Sequence, residues 1–250
     1  MTFVISLGGS IVAPPEGPDA AFLTEFKALA ESWLAGSQDG RLILVVGGGG
    51  PARLWQKACR DVYAAATPPD RELDWIGIAA TRLNAQLVKA VFGPLCPDEV
   101  VTDPSASVAF SGRILVAAGW KPGFSTDFDA VWLAERFGAP LVLNLSNIAK
   151  VYTADPRLDP GATPIDRITW PEFRKMVGNE WSPGANLPFD PIASAKAEKA
   201  GISVICAAGR DLANLKRILV GEAYVGTFIG DGPGDDRAVR QLPRRTGASA

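Results

Sequence analysis

Residues 47–50 are four consecutive glycines, set between the apolar run 42–46 and Pro51 with Arg53 just beyond. With no Cβ at the turn, backbone N–H groups can come within hydrogen-bonding distance of an anion, and Pro51 suits a first helical residue, where a missing donor is tolerated. Alone, such a run serves equally as a tight turn between packed elements. Two further junctions share its form. Residues 3–7 lead into Gly8, Gly9 and Ser10, and residues 113–118 lead into a loop at 119–127 holding Gly119, Lys121, Gly123, Thr126 and Asp127. The 250 residues contain no histidine, which excludes imidazole acid–base catalysis, His metal ligands and Ser-His-Asp triads.

The elements that carry these turns read as alternating strands and helices. Runs 3–7, 42–46, 113–118, 140–145 and 202–208 suit buried parallel strands, with a last short strand at 226–229. Asp19 caps a helix whose Phe22, Phe26, Leu29 and Trp33 recur at helical spacing, ending near Gly36. A second helix follows the glycine run through Leu54, Trp55, Cys59 and Val62, and residues 74–92 form a third. That third helix carries Arg82 and Asn84 among small residues, either facing a ligand or on a solvated face. Thr169 and Glu172 have capping-box spacing for a helix over 170–177, Asp190-Pro191 reads as a cap and first-turn proline, and a helix spans 211–219.

This order predicts an α/β/α three-layer sandwich around an open, mostly parallel sheet, one domain over residues 1–230, with a disordered tail at 231–250. In such a fold the strand-end loops gather at the carboxyl edge of the sheet, where ligands bind. Lys and Arg number 25 against 27 Asp and Glu, a net charge of -2, so no global basic field exists to hold nucleic acid or an anionic membrane. No apolar run reaches the roughly 18 residues of a membrane span and no signal peptide is evident, which predicts a cytoplasmic protein. Cys59, Cys96 and Cys206 lack CxxC spacing and read as reduced thiols.

The motifs ISLGGS at 5–10, VVGGGGPAR at 45–53, DWIGIAATRLNA at 74–85, GWKPGFSTD at 119–127, SNIAKVYTADP at 146–156, FDPIAS at 189–194 and GT at 226–227 together resemble the amino-acid-kinase fold family, and within it the archaeal-type uridylate (UMP) kinases. The resemblance implies transfer of the γ-phosphoryl of MgATP to UMP, with Mg²⁺ accompanying ATP and no confident protein ligand for the metal, usually in a homohexamer serving pyrimidine synthesis. It implies that Gly48, Gly49 and Arg53 hold the UMP phosphate and that Asp74, Gly77, Arg82 and Asn84 line the nucleoside pocket. Gly119 and Thr126 then bind the acceptor phosphate. Gly8, Gly9, Ser10, Asn147, Tyr152 and Asp155 fall on the ATP side, and Asp190 organises the reacting phosphates.

Two departures stand out. Many relatives carry lysine where this chain has Ser6, although archaeal-type members also lack it, and many carry Asp-Gly where this chain has Ala149-Lys150. Lys121 and Lys150 are the cations available instead. Two alternatives stay open: another small-molecule kinase of this fold, or a non-catalytic nucleotide-binding or storage protein. An isopentenyl phosphate kinase is disfavoured by the absence of histidine.

Overall fold

The structure is a computed structural model and describes residues 1–63, 67–180 and 187–231. In chain order the elements are β1 (Thr2–Leu7), α1 (Gly9–Val12), α2 (Ala20–Ala35), β2 (Arg41–Val46), α3 (Gly49–Tyr63), α4 (Asp70–Phe92), β3 (Ile114–Ala117), α5 (Thr126–Arg136), β4 (Leu141–Ser146), β5 (Val151–Tyr152), β6 (Pro164–Ile165), β7 (Arg167–Ile168), α6 (Trp170–Val177), α7 (Pro191–Ala200), β8 (Ser203–Ala208), α8 (Leu212–Leu219) and β9 (Thr227–Ile229). The main sheet has the order β3-β2-β1-β4-β8-β9-β7. From β3 to β8 every pairing is parallel, β9 runs antiparallel to β8, and β5 with β6 forms a separate antiparallel pair. The sheet is therefore open and mostly parallel, as expected.

Side-chain alternation along the strands builds two cores. Phe3, Ile5 and Leu7 of β1 join Leu42, Leu44 and Val46 of β2 under Phe26 of α2 and Phe92 of α4. Val4, Ile43 and Val45 point the other way, against Phe128 and Val131 of α5, Trp170 of α6 and Ala193 of α7. By the same alternation Ser6 and Asn144 fall on the second face, where apolar residues precede them. Both are buried, and they lie directly opposite one another in the β1–β4 register, with Cys206 next across β8. A polar row thus crosses three central strands beneath α5 and α7.

The helix ends follow local chemistry. Asp19, Ser125, Thr169, Asp190 and Asp211 each accept a backbone N–H of the first turn they precede, and Thr169 with Glu172 forms the expected capping box. Two expectations are corrected. The glycine run is not all loop: α3 begins at Gly49, so Pro51 is its third residue rather than its first. The segment after β4 is not plain loop either, since Val151 pairs with Ile165 and Tyr152 with Pro164 in a small hairpin. Two-residue strands leave no periodic signal to read. Residues 181–186 and nearly all of the tail expected over 231–250 lie outside the described residues.

Candidate active site

The strands β1 and β2 are paired up to Leu7 and Val46, so their turns emerge side by side. A Cβ on Gly9 would stand 2.1 Å from the Gly49 nitrogen, and one on Gly49 would stand 2.3 Å from the Gly9 carbonyl oxygen. The two turns touch backbone to backbone, which demands glycine on both sides, and Gly49 also adopts φ +62°. Gly47 N–H donates to Leu7 O and Gly50 N–H to Ala13 O, while Gly8 N–H donates to Leu145 O of β4. Gly48 and Gly49 are the amides of the run left to meet a ligand. Arg53, in the first turns of α3, donates to Ser10 Oγ at 3.0 Å and so bridges the two turns. Sequence reading placed Arg53 on the UMP side and Ser10 on the ATP side; here they join.

Asn84 supports this floor from behind. It is 2% exposed, and its Nδ2 donates to Gly47 O at 2.9 Å and Gly48 O at 3.1 Å. A buried amide so engaged shapes the glycine turn from behind. Gly77 lies where α4 meets α3, its carbonyl oxygen 3.2 Å from where a Gly48 Cβ would be.

The loop at 119–125 is tied from two sides. From α4, Thr81 Oγ1 accepts Gly119 N–H at 2.8 Å, Arg82 donates to Trp120 O at 3.0 Å, and Asp74 Oδ2 accepts Gly123 N–H at 3.0 Å. From α5, Asp129 Oδ2 accepts Trp120 N–H at 3.2 Å. Burial raises the Asp74 carboxyl above its usual value. Arg82 is therefore committed to the loop backbone, with its Nε buried and unpartnered among the described residues. Thr126 opens α5 directly after this loop.

Beneath the loop sits a group of acids that sequence reading recognised only in Asp190. Asp127 Oδ1 accepts Ser6 Oγ–H at 2.8 Å, and its Oδ2 accepts Asp190 N–H at 3.3 Å. Asp190 Oδ1 caps α7 through Ala193 N–H at 2.6 Å, and its Oδ2 is buried with no partner among the described residues. Burial, opposed by the Ser6 bond and reinforced by the Asp190 charge, pushes the Asp127 carboxyl up to about 6. Burial raises Asp190 as well and pushes Cys206 up to about 12, so that thiol is not a nucleophile. A serine alternating with apolar residues in β1 and two aspartates in the first turn of α5 were the available signals.

On the far side of β4 the expected ATP-side residues are more open. Asn147 is exposed, Tyr152 half-buried in β5, and Asp155 is paired with Arg157, which holds its carboxyl down to about 2. Neither candidate lysine meets the acids. Lys150 is ion-paired with Asp166, and Lys121 Nζ lies 3.8 Å from the centroid of the Trp120 ring. Among the described residues no group of three acidic, cysteine or histidine side chains could hold a metal.

The chain is similar to known proteins over most of its length. The chain is 35% identical to the uridylate kinase of Methanospirillum hungatei, over 91% of this chain and 94% of the relative. It is 36% identical to that of Methanothrix thermoacetophila, over 92% and 99%. The crystal structure of uridylate kinase from Archaeoglobus fulgidus superposes with a TM-score of 0.75 at 33% identity, covering 92% of this chain and all of that one. UMP kinase of Bacillus anthracis, 18% identical with a TM-score of 0.72, shares the fold. With residues 1–208 also matching the family as a whole, this chain belongs to the amino acid kinase family.

Proposed function

We propose that this protein transfers the γ-phosphoryl group of ATP to UMP, giving UDP and ADP, and that residues 1–230 act as one domain in doing so. The observation that carries the reading is the pair of locked glycine turns bridged by Arg53. Phosphoryl transfer needs little covalent help from the protein; it needs two phosphates held in line and their charge offset. The amides of Gly48 and Gly49 face the place where the phosphates meet, and Arg53 offers its planar fork to phosphate oxygens. Gly119 and Thr126 hold the acceptor phosphate, aided by the positive N-terminal end of α5. The nucleoside rests near Asp74, Gly77 and Arg82.

Gly8, Gly9, Ser10, Asn147, Tyr152 and Asp155 form the ATP side. Lys121 and Lys150 are the cations available to the phosphates: Lys121 rests on an aromatic face it can leave, and Lys150 on an ion pair with Asp166, a kind of contact that contributes only ~0–1 kcal/mol. A divalent metal, Mg²⁺ by the chemistry of ATP, supplies charge neutralisation when bound. The described residues offer it no cage, so its ligands are mainly phosphate oxygens. Asp190 and Asp127 hold the starts of α7 and α5 together through the bond between them.

Self-association belongs to the same reading. On α3, Leu54, Trp55, Ala58 and Val62 stand at i, i+1, i+4 and i+8, within an arc of about 100°. Trp75, Ile76, Ala79 and Leu83 repeat that spacing on the adjacent α4. Leu54 is 63% exposed, Trp55 66%, Val62 84% and Leu83 68%. A two-fold interface requires a surface complementary to itself, and the exposed Lys57 and Asp61 flanking the stripe let each copy's lysine meet the other's aspartate. A second copy is the occupant we assign, in the homohexamer that the resemblance implies. Trp55→Lys with Leu83→Lys is expected to halve or further reduce the mass seen by light scattering; an unchanged mass would remove this face from the interface.

No helix among the described residues is long and apolar enough to cross a membrane, and a cytoplasmic place in pyrimidine nucleotide synthesis fits the proposed reaction. The test is ADP release with MgATP and a panel of UMP, CMP, dTMP, glutamate and carbamate. UMP is expected to be turned over best. Binding of ATP or UMP in calorimetry without turnover of any acceptor would leave a nucleotide-binding protein instead.

A further inference from the structure

Asp129 is, with Asp127, one of the two first-turn acids of α5; it is 1% exposed, and the cap itself is Ser125. Its Oδ2 accepts the Trp120 N–H at 3.2 Å, and its Oδ1 is buried with no partner among the described residues. The loop it holds is also tied toward α4, through Thr81, Arg82 and Asp74. On the α5 side Asp129 is joined by the Ser125 cap at the loop's end, by the bond between the Trp120 side chain and Asp103, and by the packing of Trp120 against Phe124 and Trp132.

We propose that Asp129 is a positioning residue that, in its uncharged form, fixes the 119–125 loop for the acceptor phosphate and loosens that loop when it ionises. The inference rests on the reading of this loop as the acceptor side. The surroundings decide the charge state. Burial, reinforced by the carboxylates of Asp127, Asp103 and Asp190, pushes the Asp129 carboxyl up to about 8 against the opposing pull of the Trp120 N–H bond, which favours the charged form. The neighbouring cations are engaged elsewhere: Arg82 with the carbonyl oxygens of Gly119 and Trp120, and Lys196 with Glu135 and the Trp132 ring. A neutral carboxyl can still accept the Trp120 N–H through its carbonyl oxygen. An ionised one, buried beside three other acids with one oxygen unpartnered, gains by moving toward water. It would also set a negative charge behind a loop that must hold a phosphate. Reacting atoms tolerate little displacement, so a shift of about 1 Å in this loop can lower the rate on the order of a hundredfold.

Hydrogen exchange of residues 119–125, corrected for intrinsic rates, tests the positioning role in the unmodified chain without any substrate. Protection is expected at pH 6.5 and a loss of at least about tenfold by pH 9. Asp129→Asn, which keeps an acceptor oxygen and cannot ionise, should hold its protection across that range, and Asp129→Ala should lack it throughout. In parallel, the KM for UMP of the parent should rise several-fold between pH 7 and 9 while that for ATP stays level, and the rise should vanish in Asp129→Asn. Protection that does not change with pH in the parent chain would overturn the proposal whether or not either variant folds. UMP turnover with equal pH profiles in parent and Asn variant would overturn it too. The expected exchange pattern without UMP turnover would instead sink the acceptor reading and leave the loop tether standing.

Discussion

The two sides of the sheet edge are built differently. The loop at 119–125 receives bonds from Thr81, Arg82, Asp74 and Asp129, on two different helices, and rests on buried aromatic rings. The segment from Asn147 to Asp159 consists of a two-residue strand followed by turns, and most of its side chains beyond Val151 are half-buried or exposed. Beyond Val151, whose N–H donates to Thr227 Oγ1 in β9, its polar contacts are local, Asp155 with Arg157 and Thr153 with Thr163. A region tied by long-range bonds into two helices is ordered before any ligand arrives, whereas one held by its own short-range contacts opens at low cost. On the site assignment proposed above, the acceptor side is preorganised, and the ATP side pays its ordering entropy on binding.

Arg53 touches both sides, so its removal should have the largest effect. Arg53→Ala is expected to lower kcat/KM by roughly 10- to 150-fold, the ~1.5–3 kcal/mol of a charge-assisted hydrogen bond. The loss should fall more on UMP than on ATP, because the loops around the acceptor cannot adjust to replace the missing contact. Equal losses measured by calorimetry for the two nucleotides would place the guanidinium between them, as its bond to Ser10 also permits.

Ala149 tests the ATP side. It is exposed at the start of the weakly tied segment, where many relatives carry an acid. A carboxylate there could orient a lysine or a metal-bound water. Ala149→Asp is expected to raise kcat for UMP at least about tenfold, or ~1.4 kcal/mol of barrier, at saturating MgATP. An unchanged kcat would show that this backbone does not need the acid.

Asp127 separates the buried frame from both loops. Its folded value of about 6 lies above the 3.8 of an unperturbed aspartate, so the folded chain holds the proton more tightly than the unfolded one. Its contribution to stability is fully present below 3.8 and is lost as pH rises through about 6. Asp127→Asn should therefore flatten the fall in Tm between pH 4 and 7 by a few degrees. Parallel melting curves for parent and variant across that range would mean that Ser6 and Asp190 compensate the charge fully.

Strand-turn-helix order was legible because buried parallel strands are continuous apolar runs and glycine marks their ends, and the caps at Asp19, Thr169 and Asp190 are local codes. What lay beyond reading came from tertiary contact. Nothing local says that Gly9 and Gly49 must be glycine because they touch each other. Asn84 looks like a ligand-facing amide until its partners, some 37 residues away, are known. The apolar spacing of Leu54, Trp55 and Val62 identifies a helix but cannot say that its stripe faces outward. Asp129 shows in sequence only as a first-turn acid of α5, since only packing reveals a carboxylate with one oxygen unpartnered.

The smallest effect is expected at Lys150. Its ammonium is only partly exposed, at 24%, but its partner Asp166 is 80% exposed, and a pair open to water on one side contributes little to stability. Lys150→Met should then shift Tm by no more than about 1–2 °C. The catalytic consequence distinguishes two uses of the lysine. If it stays on Asp166 it braces the segment between β4 and β7, and kcat should fall only a few-fold through slower ordering of the ATP side. If it swings to the phosphates when ATP binds, its charge acts directly on the transferring group, and the fall would approach a hundredfold or more. We expect the few-fold result, because Lys121 sits in the preorganised loop and leaves only an aromatic face to reach the same phosphates. A few-fold loss in Lys121→Met beside a hundredfold loss in Lys150→Met would reverse the assignment. The weakly tied side would then supply the catalytic charge, and the well-tied loop would serve only to hold the acceptor.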